Sequence, residues 1–224
     1  MESASKGKAA HRFNDDLSSL PAAVGEGKIR AGDAVRSAAF STGYSIMLSR
    51  LPVLAISGAV GVGKTSVLVE LHDILAGERI PHGCVERDAL SYSWPPQGRF
   101  NEVIVERNLS CVVATFLEAG ATRLLIAGVI EGQADLAVYR RCVPNAEIQV
   151  CRLTADLDLR RERLHGREKG AGLDWHLART AELDTILDAA RIEDFSVDNG
   201  DRPLREVALE VLTRAGWPPY IAEV

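Results

Sequence analysis

Leu51-Pro52-Val53-Leu54-Ala55-Ile56-Ser57-Gly58-Ala59-Val60-Gly61-Val62-Gly63-Lys64-Thr65-Ser66 is the stretch whose reading decides the fold. Residues 51–57 are an apolar run that stops at a glycine, which predicts a buried strand. After it, residues 65–76 carry apolar side chains at 67, 68, 71, 74 and 75, which is helical spacing. Between strand and helix, Gly58–Thr65 fits GxxxxGK[ST] at every fixed position. The spacing has a physical cause. Glycines let the chain wrap closely around phosphate oxygens and turn backbone N–H groups inward. The helix that follows aims its N-terminus at the anion. A lysine in the position of Lys64 reaches the β- and γ-phosphates, and a hydroxyl in the position of Thr65 ligates Mg²⁺. The stretch therefore predicts binding of ATP with Mg²⁺ through Gly58, Ala59, Val60, Gly61, Val62, Gly63, Lys64, Thr65 and Ser66, with Thr65 on the metal.

Outward from this loop the same alternation continues. Gly77 is a C-terminal stop for the first helix. A weaker strand is predicted over 79–86, then a loop, Ser91-Tyr92-Ser93-Trp94-Pro95-Pro96-Gln97-Gly98-Arg99. A long helix runs from about Phe100 to Glu118 and is stopped by Gly120. The third strand, 121–130, is the best apolar run in the chain. A short helix, 133–142, is closed by Pro144, and the fourth strand follows at 146–153. Thr154 is read as the N-cap of the next helix, with Asp156 and Asp158 in its first turn. Gly170–Gly172 breaks that helix, and another spans Asp174 to about Ala190. The fifth strand is 194–198, and a terminal helix has Pro203 in its first turn. Five strands with intervening helices give an α/β chain: a five-stranded parallel sheet between two helical layers, with a helical lid at about 155–180.

Residues 1–50 differ from the rest, being rich in Ala, Ser, Gly and mixed charge. They are expected to be a disordered or dispensable extension, with Met47 an alternative start; 219–224 is a short tail. The chain has 224 residues, enough for one well-buried domain, 51–218. Its net charge of −5 gives no electrostatic reason to expect nucleic acid or an anionic membrane as partner. The longest apolar runs are too short to span a bilayer. Four cysteines, Cys84, Cys111, Cys142 and Cys151, form no CxxC pair, and the five histidines show no zinc spacing. They are expected to be free thiols in a reducing cytoplasm.

Ligands in such sheets bind beyond the C-terminal strand ends. There the second strand delivers Glu86-Arg87-Asp88, the third Glu131, the fourth an arginine-rich helix, and the fifth Asp198-Asn199-Gly200-Asp201. In this order of features Leu51–Trp217 resembles the P-loop small-molecule kinases: adenylylsulfate kinases, gluconate kinases, chloramphenicol phosphotransferases and nucleoside monophosphate kinases. The resemblance implies a phosphotransferase that moves the γ-phosphate of Mg²⁺–ATP to a small acceptor. It places the catalytic or metal-side carboxylate at Asp88, with Glu86 as competitor. Arg160, Arg163 and Arg167 share one helix face at i, i+3 and i+7, and cations closing over a transferring phosphoryl group stabilise its charge. The catalytic set is thus Lys64, Asp88, Arg163 and Arg167, with Arg179 able to reach in from the next helix. On the acceptor side stand Glu86, Tyr92, Trp94, Arg107 and Glu131; the two aromatic rings suit stacking on a substrate ring or a hydrophobic plug. A homodimer is compatible with all of this.

Two departures from the resemblance are visible. Gly128 stands where these kinases usually end the third strand in an Asp, and no lysine-rich segment follows the fourth strand as in adenylylsulfate kinases. The rival class is a nucleotide-dependent switch or ATPase without an acceptor, which needs neither the carboxylate after the second strand nor a basic lid. A GTPase would carry an NKxD motif, which is absent.

Overall fold

The computed structural model describes residues 50–98 and 100–219. The expected extension before Arg50 and its alternative start at Met47 lie outside these residues, as does most of the short C-terminal tail.

Five strands form one parallel sheet: β1 (Leu51–Ser57), β2 (Gly83–Glu86), β3 (Leu124–Ala127), β4 (Ala146–Thr154) and β5 (Phe195–Asp198), in the order β2-β3-β1-β4-β5. β1 is central. It pairs with β3 from Val53↔Leu124 to Ile56↔Ala127, and with β4 from Leu51↔Ala146 to Ser57↔Arg152. Among the described residues six α-helices surround the sheet: α1 (Lys64–Gly77), α2 (Glu102–Glu118), α3 (Gln133–Cys142), α4 (Leu157–Arg167), α5 (Ala171–Ala190) and α6 (Leu204–Arg214).

Side chains of a strand alternate between faces, so a sheet buried on both sides needs apolar residues at every position. β1 and β3 meet that demand. Leu54, Ile56, Leu125 and Ala127 face α1 and α6, where they pack with Leu71, Leu75, Val207 and Val211. Val53, Ala55, Leu124 and Ile126 face the other way and pack with Leu109 and Val113 of α2 and Leu136 and Tyr139 of α3. The result is the expected three-layer α/β/α architecture.

Element ends depart from the sequence reading where a local bond intervenes. β2 begins at Gly83, because residues 79–82 form a turn: Arg79 has a φ of 57° and the Ile80 N–H returns to the Leu75 carbonyl at 2.9 Å. β3 ends after Ala127: the Gly128 N–H makes the last ladder bond, to the Ile56 carbonyl, and the Ile130 N–H turns to the Ser57 hydroxyl. The cap of α4 is Asp156, whose carboxylate accepts from the Asp158 N–H at 2.8 Å; Thr154 stays in β4. Glu168, Lys169 and Gly170 separate α4 from α5, so Gly172 lies inside a helix.

The α1 face of the sheet rests on Leu71, which is fully buried. Truncation to Ala leaves a cavity that the packed layers cannot fill. Leu71→Ala should cost about 2–5 kcal/mol, seen as a fall in the urea midpoint at unchanged m-value.

Candidate active site

The loop between β1 and α1 lies at the C-terminal edge of the central strand. There β1 and β3 send their connections to opposite faces, the position where open α/β sheets form a crevice. The crevice holds a cavity of about 960 Å³. Val60, Gly61, Gly63, Lys64, Thr65 and Ser66 line it; Gly58, Ala59 and Val62 lie behind the loop, with the Val62 side chain in the core.

What shapes the loop is the fate of its carbonyls. Lys64 Nζ donates to the Gly58 and Ala59 carbonyls at 2.9 and 3.1 Å. The Thr180 hydroxyl of α5 donates to the Val60 carbonyl at 2.6 Å. The Val62 carbonyl accepts from Asn199 Nδ2 at 2.7 Å. Side chains from α5 and from the turn after β5 thus hold the loop from outside. Gly63 has a φ of 96°, and a Cβ there would lie 2.5 Å from Asn199 Nδ2. A Cβ on Gly61 would lie 2.9 Å from the Arg160 carbonyl of α4. Both glycines are needed for backbone conformation and for close approach.

Opposite the loop stands the end of β2. Glu86 accepts a hydrogen bond from the Thr65 hydroxyl at 2.6 Å, so the carboxylate sits beside the hydroxyl expected from sequence to hold Mg²⁺. Asp88 opens a single 3-10 turn, Asp88–Ser91, and also lines the cavity. Between them Arg87 lines the cavity with a side chain 14% exposed, 3.9 Å from Asp135. A Cβ on Gly128 would lie 2.9 Å from Arg87 Cβ and 3.1 Å from Arg87 Cδ. The arginine therefore occupies the place that an acid at the end of β3 would need.

The three arginines of α4 do share a face, but most of that face packs against the protein. Arg160 is buried, donating to Thr180 Oγ1 at 3.0 Å and pairing with Asp184 at 2.5 Å. Arg163 donates to the Asn199 and Gly200 carbonyls at 3.0 and 2.9 Å and lies outside the cavity lining. Expected among the catalytic residues, it is not brought to the cavity: its guanidinium donates to backbone carbonyls behind the loop. Arg167, at the end of α4, does line the cavity, held by Glu168 at 2.6 Å. Glu168 also contacts His176. Burial works against its charge, but hydrogen bonds from Arg167 and His176 outweigh that and hold the carboxyl below its usual range.

Of the residues expected to face an acceptor, Glu131 lines the cavity and is ion-paired with buried Arg179, which also pairs with Glu182 at 2.6 Å. Tyr92 is at the rim, 88% exposed. Trp94 and Arg107, expected on the same side, are both exposed and neither lines the cavity. Trp94 is in the loop after the 3-10 turn, and Arg107 is on the solvent side of α2. Residues that the sequence reading did not single out also line it, chiefly Asp135, Glu168, Trp175 and His176. Their signal was weak, because none belongs to a fixed spacing.

Lys64 is partly exposed as a residue, but its ammonium is turned in on the loop. Burial pulls its pKa down to about 8; Asp88 and Glu86 oppose this, and Arg167 and Arg160 add to it.

No protein-family model and no curated protein sequence matches the chain. Solved structures do. The tunicamycin resistance protein of Deinococcus radiodurans superposes with a TM-score of 0.54 at 17% identity, covering 75% of this chain and 98% of its own. A sugar kinase from Janibacter sp. HTCC2649 superposes with a TM-score of 0.52 at 17% identity, covering 78% of this chain and 99% of its own. The fold is that of the P-loop small-molecule kinases.

Two measurements probe this arrangement. Thr180→Val keeps the shape but leaves the Val60 carbonyl and an Arg160 N–H unpaired in a buried place. It should cost about 1–3 kcal/mol in urea unfolding. Lys64 gives a pH signature. Its folded pKa of about 8 is below the ordinary lysine value of 10.5, so between those values the unfolded chain binds more protons. Stability contributed by this site therefore rises with pH across that window. The stability of the nucleotide-free protein relative to Lys64→Met should climb from pH 8 to pH 10; a flat difference would remove the shift.

Proposed function

We propose that the protein is an ATP-dependent phosphotransferase that moves the γ-phosphate of Mg²⁺–ATP to a hydroxyl of a small-molecule acceptor. The observation that carries this is the convergence of Lys64, Thr65, Glu86, Asp88 and Arg167 on one cavity. A nucleotide switch needs the loop alone. Here two carboxylates face the loop and a lid arginine stands above it. The cavity volume of about 960 Å³ is at the upper end of small-molecule sites, so it has room for a triphosphate and a second small molecule.

In this reading Lys64 leaves the loop carbonyls to bind β- and γ-phosphate oxygens. Arg167 bears on the equatorial oxygens of the phosphoryl group, with Glu168 orienting its guanidinium. The hydroxyl of Thr65 with the carboxylate of Glu86 beside it forms a hard-oxygen donor set, which suits Mg²⁺. Bound Mg²⁺ would neutralise phosphate charge as it is transferred. Asp88 orients the acceptor hydroxyl and takes its proton. The Arg179–Glu131 pair and Tyr92 line the acceptor side. A sugar acid, a nucleotide or a sulfonucleotide all present a hydroxyl of the required kind.

A thermal-shift screen with Mg²⁺–ATP and a panel of hydroxyl acceptors tests the reading. Ligand at a hundred times its Kd adds about 2.7 kcal/mol of apparent stability. Stabilisation by Mg²⁺–ATP, a further increment with one acceptor, and acceptor-dependent ADP release are the expected results. Stabilisation by ATP with hydrolysis that no acceptor accelerates would favour the switch. Lys64→Ala should abolish transfer. Asp88→Asn should lower turnover about 10²–10⁴-fold with little change in ATP affinity, whereas Glu86→Gln should raise the Mg²⁺ requirement. An Asp88→Asn enzyme with unchanged turnover would exclude the assigned base.

A further inference from the structure

On the α1 face of the sheet, far along α1 from the phosphate loop, three side chains meet that share no sequence motif. His72 lies on α1, His82 in the turn before β2, and Cys84 in β2. His72 Nδ1 and His82 Nε2 are 2.9 Å apart, and one ligand atom from each of the three residues lies within 4.8 Å of the others. All three residues are partly buried, so an ion has both a walled seat and an entry path.

The hydrogen bonds fix which nitrogen faces the cluster. His82 Nδ1 is 2.6 Å from the Ile80 carbonyl, which can only accept. Nδ1 therefore carries the proton, and Nε2 presents its lone pair to His72 and Cys84. A backbone carbonyl behind the far nitrogen is the outer-shell arrangement that orients metal-binding histidines. We propose that His72 Nδ1, His82 Nε2 and Cys84 Sγ form a three-ligand site for Zn²⁺ or a chemically similar borderline transition-metal ion, clamping α1 to β2.

The geometry requires little change. Two nitrogens bound tetrahedrally at about 2.0–2.1 Å from Zn²⁺ stand ~3.3 Å apart, so the imidazoles open by a few tenths of an ångström. His72 shifts its proton from Nδ1 to Nε2, with no net change. Cys84 loses its thiol proton to solvent as the S–Zn bond forms, so one proton leaves per ion bound. The surroundings fit both roles. Burial pushes the His82 pKa down; the bond to the Ile80 carbonyl opposes this, and His72 and Arg123 add to it, leaving a neutral imidazole. Burial pushes the Cys84 thiol up to about 12, so it is inert until a cation displaces the proton. Arg123 is the charge that opposes an ion; its guanidinium carbon lies 5.1 Å from the centre of the Trp217 ring. N₂S donors with one open position suit Zn²⁺, and they disfavour the all-oxygen ions Mg²⁺ and Ca²⁺.

The test uses the full chain, stripped with chelator and then titrated with Zn²⁺ and with Co²⁺ as a coloured substitute. The expected results are one Zn²⁺ per chain, release of one proton per ion at pH 8, a rise in Tm, and a thiolate-to-Co²⁺ charge-transfer band. Cys84→Ser should abolish the band. His72→Gln, on a helix surface, should weaken Zn²⁺ binding by more than the ~10–100-fold that loss of an outer-shell partner costs. Both variants are compared with the stripped wild type by circular dichroism; if Cys84→Ser does not fold, His72→Gln decides. Cys111→Ser, at an exposed thiol, should change nothing. A wild type without the band, or a band lost with Cys111 and kept without Cys84, overturns the site. So does unchanged Zn²⁺ affinity in folded His72→Gln. None of these readouts involves nucleotide.

Discussion

The structure depends on how the carbonyl groups of one glycine-rich turn are satisfied. A loop that offers its N–H groups to an anion must turn its carbonyls away, and a carbonyl turned into protein needs a donor. Here the donors come from distant parts of the chain: Lys64 from within, Thr180 from α5, and Asn199 from the turn after β5. Arg160 and Arg163 then brace those braces, through Thr180 and through the Asn199 and Gly200 carbonyls. The glycine-rich loop is thus the meeting point of α4, α5 and the turn after β5.

This explains which parts of the site could be read from sequence. The loop was legible because its chemistry is local: glycines, lysine and hydroxyl at fixed spacing, between a strand and a helix. β1 and β3 were legible because the middle of a sheet covered on both faces demands continuous apolar runs, and the other three strands followed from their places between helices and glycine-bearing turns. The arginines of α4 were only half legible. Helical periodicity shows that Arg160, Arg163 and Arg167 share a face, but it does not say what that face meets. It meets the back of the loop for two of them and the cavity only for Arg167. Thr180 and Asn199 were harder still, since a single buried polar residue leaves no pattern.

The acceptor side shows the same divide. Glu86 and Asp88 were found because strand ends deliver residues to the crevice. Trp94 and Arg107 were drawn in by residue type, and the fold gives them to solvent. The trio of His72, His82 and Cys84 is the opposite case, since its members lie in a helix, a turn and a strand. No spacing rule links those three, yet the packing of α1 beside β2 brings them together.

Gly128 and Arg87 form a matched pair across β3 and β2. The arginine's stem fills the volume where a side chain at 128 would stand, and its charge approaches Asp135 instead of an acid on β3. Neither position is therefore free to vary alone. An acid at 128 would collide with the arginine, and a small residue at 87 would expose an empty slot beside the carboxylates. Only a paired exchange keeps the wall intact. In lineages of this protein the two positions should change together or not at all, and the identity of residue 87 would then report which residue ends β3.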